Sequence, residues 1–97
     1  MTHAATAVAA YLAELAEQRR LSPHTVSSYR RDLARLLNLA GDIPLAELQV
    51  HHIRRFAAQL HGQGLSGRSL ARLLSAWRGF FNWLGRGDVV RANPCEG

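Results

Sequence analysis

The side chains with the most chemistry to offer in this sequence are its arginines. All twelve strongly basic residues are arginine and none is lysine, and seven acidic residues oppose them for a net charge of +5. A guanidinium carries five N–H donors in a planar fork, which fits phosphate oxygens and the edge of guanine two at a time. Projected at about 100° per residue, two polar helix faces emerge. One holds His24, Ser27, Ser28, Arg31 and Arg35; the other holds Arg68, Arg72, Ser75, Gly79 and Asn82. Both mix arginine with small polar residues and contain no acid, whereas an ordinary solvated face mixes the two signs. Asp32 falls toward the flank of the first helix, and the second helix has no acid. Small residues on such a face let the backbone approach a rigid polyanion. Charge alone leaves three partners open: nucleic acid, an anionic membrane surface, or solvent only.

Other chemistry finds little support. His51 and His52 are neighbours, so on a helix they diverge by about 100° and cannot grip one ion in the i, i+4 manner. His24 and His61 read as a helix-start residue and a last-turn residue suited to the helix dipole. No metal-ligand spacing, nucleophile elbow, carboxylate pair or phosphate-cradling glycine loop occurs. The expectation is therefore no metal, no cofactor and no catalytic residue. Tyr11 and Tyr29 both lie on apolar stripes, where packing with a wet hydroxyl is the default. Cys95 is the lone cysteine, and it points to a reducing, cytoplasmic setting. No secretory signal or apolar stretch of membrane-spanning length is seen.

The elements that must carry these faces are four amphipathic helices, an all-α fold in two helical hairpins. The first has Val8, Tyr11, Leu12 and Leu15 at i, i+3, i+4 and i+7. The second runs from Pro23 to about Ala40 and the third from Leu45 or Gln49 to Leu60. The fourth runs from Gly67 to Leu84, with Trp77, Phe80 and Phe81 making it the spine of the core. Ser22 and Ser66 are placed to cap the second and fourth helices, with Pro23 at a first helical position. Gly41, the Gly62/Gly64 pair and Gly85 stand where left-handed helix ends belong. The second and fourth helices also match at an offset of 44 residues, pairing Val26 with Leu70, Leu33 with Trp77, Leu36 with Phe80 and Gly41 with Gly85. Trp83 falls off the main stripe and is expected to pack on Val89 and Val90; with the alanines of the first helix, it is otherwise a candidate for protein contacts.

Leu21-Ser22-Pro23-His24-Thr25, followed by Tyr29-Arg30-Arg31-Asp32-Leu33, resembles the opening of the core-binding domain of tyrosine recombinases (the phage integrase family). Gly64-Leu65-Ser66 and the run from Ser69 to Leu84 are similar to the fourth helix of the Xer branch, and Asn93-Pro94 to its hand-over into a linker. The resemblance covers essentially the whole chain. It implies a compact four-helix SAM-like domain over residues 1–92, with 93–97 opening a linker to a catalytic domain that this chain lacks. Members of that family cut and rejoin DNA at paired inverted half-sites, with a tyrosine nucleophile in a carboxy-terminal domain; Tyr29 belongs to the core-binding motif and is not that nucleophile. The amino-terminal domain forms half of a clamp, its second and fourth helices in or beside the major groove. The implied partners are a double-stranded recombination half-site, the protein's own catalytic domain and a homologous recombinase in a tetramer on DNA. Carried onto this chain, the DNA-contacting set is His24, Thr25, Ser27, Ser28, Arg31, Arg68, Ser69 and Arg72, to which the polar faces add Arg35 and Ser75. Arg68 and Arg72 are expected to be removable without unfolding the domain. The competing reading is a helical protein-interaction module whose basic face grips an acidic partner.

Overall fold

A computed structural model describes residues 3–87 and 92–96. Four helices make up the body: α1 (His3–Glu17), α2 (Pro23–Ala40), α3 (Val50–Gly62) and α4 (Gly67–Arg86). Short 3-10 turns at Leu45–Glu47 and Pro94–Glu96 complete the described residues, which contain no strand. None of these helices is long and apolar enough to cross a membrane.

The starts of α2 and α4 form as their residue types dictate. Ser22 and Ser66 sit in extended backbone, and their hydroxyls accept from the N–H of Thr25 (3.2 Å) and Ser69 (3.1 Å). Each cap satisfies one amide that the helix itself cannot. Gly41 (φ +58°) ends α2 and Gly64 (φ +105°) turns the chain after α3. Gly85 does not act this way. It is helical, and α4 continues to Arg86 and stops at Gly87 with φ −94°, so the match between Gly41 and Gly85 fails. A glycine inside a helix costs about 1 kcal/mol, and the turn here is held by Leu84, which is buried. The α1–α2 corner has no glycine at all. Arg20 takes the left-handed conformation instead (φ +52°), and Leu21 N–H reaches back to Leu15 C=O at 3.3 Å.

α4 is the spine of the core. Its Leu73, Ala76, Trp77, Phe80, Phe81 and Leu84 are buried, against Leu15 of α1, Leu33 and Leu36 of α2 and Phe56 of α3. Phe56 meets Trp77 edge-on at 6.4 Å and 85°, the geometry that brings a ring's positive edge to a negative face. Trp83 joins this core: its ring lies 5.3 Å from Tyr11 and 6.3 Å from Phe80. Val89 and Val90, its expected partners, lie outside the described residues.

Residues 93–96, expected to open a linker, are fastened to the body. Asn93 Nδ2 donates to Arg78 C=O (3.0 Å) and to Asn82 Oδ1 (2.8 Å), and its own Oδ1 accepts from Cys95 N–H (2.9 Å). Pro94 is buried and Cys95 half-buried. Burial pushes the Cys95 thiol up to about 11, which keeps it protonated and unreactive near neutral pH.

At the start of α3 the two histidines do not diverge. Their rings lie 4.1 Å apart, since wheel angles describe only the Cα–Cβ directions and the side-chain torsions beyond them can bring neighbouring rings together. Gln49 N–H donates to His52 Nδ1 at 2.9 Å, a bond that needs neutral imidazole. Partial desolvation, then the charges of His51 and Arg55, hold His52 below the usual 6.5. A depressed value means the cap contributes above pH 6.5 and is lost as pH falls through the folded-state value. We predict that hydrogen-exchange protection at the start of α3 falls on acidification below that range. His52→Ala should flatten the dependence; a wild-type profile level down to about pH 5 would contradict it.

Candidate nucleic-acid interface

α2 and α4 pack against each other, and the two polar faces meet at that seam. Between them runs a shallow groove of about 290 Å³ lined by Thr25, Ser28 and Tyr29 of α2 and Arg72, Ser75 and Ala76 of α4. Four of the expected site residues, Thr25, Ser28, Arg72 and Ser75, thus share one depression. His24, Arg31, Arg35 and Arg68 are exposed outside its lining, while Ser27 and Ser69 are half-buried. Arg31 leans back along α2, its Nη2 donating to Ser28 Oγ at 3.3 Å.

The seam is built on Asp32, which is not a flank residue. It is buried, the one buried charged residue among those described. Arg72 Nη1 donates to its Oδ2 at 2.7 Å and Nη2 to its Oδ1 at 3.0 Å, a two-pronged pair joining α4 to α2. One turn further along α4, the indole N–H of Trp77 donates to the Asp32 carbonyl at 2.7 Å. Asp32 is therefore held at both its side chain and its backbone. The hydrogen bond to Asp32 raises the Arg72 pKa above its ordinary value, so the guanidinium stays charged across the working range. This is the one ion pair among the described residues; Arg31, Arg35 and Arg68 have no acid within reach there.

The lower half of the α4 face serves packing. A Cβ on Gly79 would lie 3.0 Å from Tyr11 Oη, so this glycine makes room for a tyrosine of α1. Burial, then Tyr29, raises the Tyr11 phenol above its usual 10.0. Asn82 is exposed but its amide oxygen is taken by Asn93. The open part of the face is the stretch from Arg68 to Ser75.

The sequence reading missed Asp32 as a partner and Tyr29 as a groove wall. Asp32 carried a signal: it lies three residues after Tyr29 and four before Leu36, inside the apolar stripe, where an acid needs a cation.

Residues 8–87 match the family described as phage integrase, N-terminal SAM-like domain. Among similar curated proteins is tyrosine recombinase XerC of Ralstonia pickettii (strain 12J), 58% identical over 95 residues that make up 93% of this chain and 29% of that protein. Tyrosine recombinase XerC of Alcanivorax borkumensis is 48% identical over 85 residues, 88% of this chain and 28% of the relative. A third, from Pseudomonas syringae pv. tomato, is 43% identical over 91 residues, 91% and 30% respectively. The chain thus spans under a third of the length of these relatives. No solved structure matches it significantly.

The pair changes what Arg72 is expected to tolerate. Removing one partner of a buried ion pair costs about 3–5 kcal/mol. Arg72 itself is 54% exposed on its side chain, so water can partly replace it and the cost should be nearer 2 kcal/mol. We predict that Arg72→Ala lowers the unfolding free energy from urea titration by that amount, with a lower midpoint, while Arg68→Ala stays within about 0.5 kcal/mol of wild type. Equal midpoints for the two variants would show that the pair does not hold the seam.

Proposed function

This chain belongs to the phage integrase N-terminal SAM-like domain family, and from that premise we propose that it is the core-binding, DNA-binding domain of a site-specific tyrosine recombinase. In this reading it recognises one recombination half-site and forms one half of a clamp around the duplex. Strand cleavage belongs to a separate catalytic domain, within the larger share of the relatives' length that this chain does not cover. The longer protein would act in the cytoplasm, within a tetramer of recombinase subunits on DNA, in chromosome-dimer resolution.

The observation that carries the reading is the groove between α2 and α4, which joins Thr25 and Ser28 to Arg72 and Ser75. Exposed Arg31, Arg35 and Arg68 flank it, and each helix opens on a serine cap beside it. Small hydroxyl side chains and unpaired guanidinium groups suit a phosphate backbone approached at close range. His24, Ser27 and Ser69 stand at the same helix starts and belong to the proposed contact set.

Protein contact has one observation in its favour, and it fits beside DNA binding. A groove of about 430 Å³ separates the amino end of α1 from the α2–α3 connection, lined by His3, Ala4, Ala7, Ile43, Pro44 and Leu45 among others. It is away from the basic seam and carries the small alanines of α1.

The proposal predicts that the chain binds a mixed-sequence duplex with strong salt dependence, about 0.9 log units of affinity per log unit of salt for each phosphate contacted. Arg31→Ala and Arg68→Ala should each weaken binding roughly 3- to 10-fold and reduce that slope by about one contact. Fluorescence anisotropy across a salt series measures both. A flat slope, or affinities untouched by both substitutions, would remove this face as the DNA surface.

A further inference from the structure

Resting on the DNA-binding reading above, we propose that Asp32 is a specificity-determining residue of the interface: it holds Arg72 as a preset fork for a guanine edge. Asp32 itself touches no DNA in this scheme and acts by positioning. The carboxylate occupies the end-on edge of the guanidinium, taking Nη1 at 2.7 Å and Nη2 at 3.0 Å. A guanidinium has a second two-donor edge, formed by Nε–H and the outer N–H of one Nη. No side-chain hydrogen bond of Arg72 other than the pair to Asp32 occurs among the described residues. The Arg72 side chain is 54% exposed while Asp32 is 3% exposed, and Arg72 lines the groove with Thr25, Ser28 and Ser75.

Two consequences follow from this arrangement. The first concerns order: an arginine normally loses much rotamer freedom when it binds, but Arg72 is already held from α2. The anchor is itself anchored, because Trp77 grips the Asp32 carbonyl at 2.7 Å. The second concerns charge. Arg72 and Asp32 are neutral as a unit, so the carboxylate behind the guanidinium opposes most of its pull on a phosphate. Guanine presents two neutral acceptors, O6 and N7, in the spacing of the fork, and these do not suffer that opposition. Arg31, Arg35 and Arg68, with no acid partner among the described residues, keep their full attraction for the backbone. Labour is thereby divided: unpaired arginines supply affinity, and the paired one reads a base.

The test compares wild type, Asp32→Asn and Arg72→Lys, with folding followed by circular dichroism. Each is used to select from a pool of duplexes with a randomised core, and each is titrated onto a mixed-sequence duplex. Wild type is expected to enrich a motif with at least one fixed guanine. Asp32→Asn should bind the mixed-sequence duplex more tightly, since a negative charge has gone, yet lose preference at one guanine position by about tenfold. Arg72→Lys keeps a cation for Asp32 but has no second edge, so it should fold and lose the same position. If Asp32→Asn does not fold, Arg72→Lys decides the matter alone. Retention of that guanine by the folded variants overturns the proposal, as does a wild type that binds DNA without any guanine preference. A wild type that binds no duplex at low salt would instead remove the DNA-binding reading on which the proposal stands.

Discussion

A carboxylate out of reach of water must have a cation and hydrogen-bond donors, and in this domain that demand decides how α2 sits on α4. Asp32 is buried, and beyond the bonds of its own helix it is held from α4: Arg72 donates to the carboxylate and Trp77 to the carbonyl. Apolar packing alone is non-directional and would tolerate sliding of one helix along the other. Bonds to both the side chain and the backbone of one residue, from positions five apart on the facing helix, do not. The register they fix is the one that brings Thr25 and Ser28 opposite Arg72 and Ser75. A groove assembled from two helices thus inherits its geometry from a single residue beneath it. Whether such a pair adds net stability over an apolar substitute is a separate matter, since desolvation offsets much of its attraction; its contribution here is to register.

The helices, their faces and their spine were legible because periodicity and capping are local. Val8, Tyr11, Leu12 and Leu15, or Leu73, Trp77, Phe80 and Leu84, declare a buried stripe without any knowledge of what covers it. Ser22 and Ser66 declare helix starts from two or three neighbours. The family resemblance agreed with the fold and with the match over residues 8–87. What failed was whatever depended on a distant partner. Gly79 looks like an open position on a polar face until Tyr11 is seen to lie against it. Asn82 looks solvent-facing until Asn93 takes its oxygen. The residues that complete the site from 40 positions away, as Asp32 does for Arg72, leave only an anomaly in the sequence: an acid inside an apolar stripe.

Local rules also failed where two residues can meet the same need. A glycine is the usual left-handed helix end, yet Arg20 performs that turn after α1 while Gly85 stays helical. For Arg20 the left-handed strain is of order 1 kcal/mol, small beside the packing of α1 through Leu12 and Leu15. Gly85 follows buried Leu84, so the helix end is set by what the last turn packs on. In both cases tertiary burial outweighs a propensity of about one kcal/mol, which is the expected order when the two conflict.

α4 shows how one helix can serve a core and a surface without compromise to either. Its apolar residues run the full length of one side, from Leu73 to Leu84. The opposite side changes character along the way. From Arg68 to Ser75 it is open and basic. From Gly79 onward it is covered, first by Tyr11 of α1 and then by Asn93 and the Pro94–Glu96 turn. The boundary is written in residue size: a glycine where α1 comes close, arginine and serine along the open groove. Arg72 stands on the open side of that boundary yet is tied to the buried side through Asp32. Held in place by a buried residue, Arg72 would make contacts that depend on shape more than on charge. Arg31, Arg35 and Arg68, with no acid partner among the described residues, would respond to any polyanion.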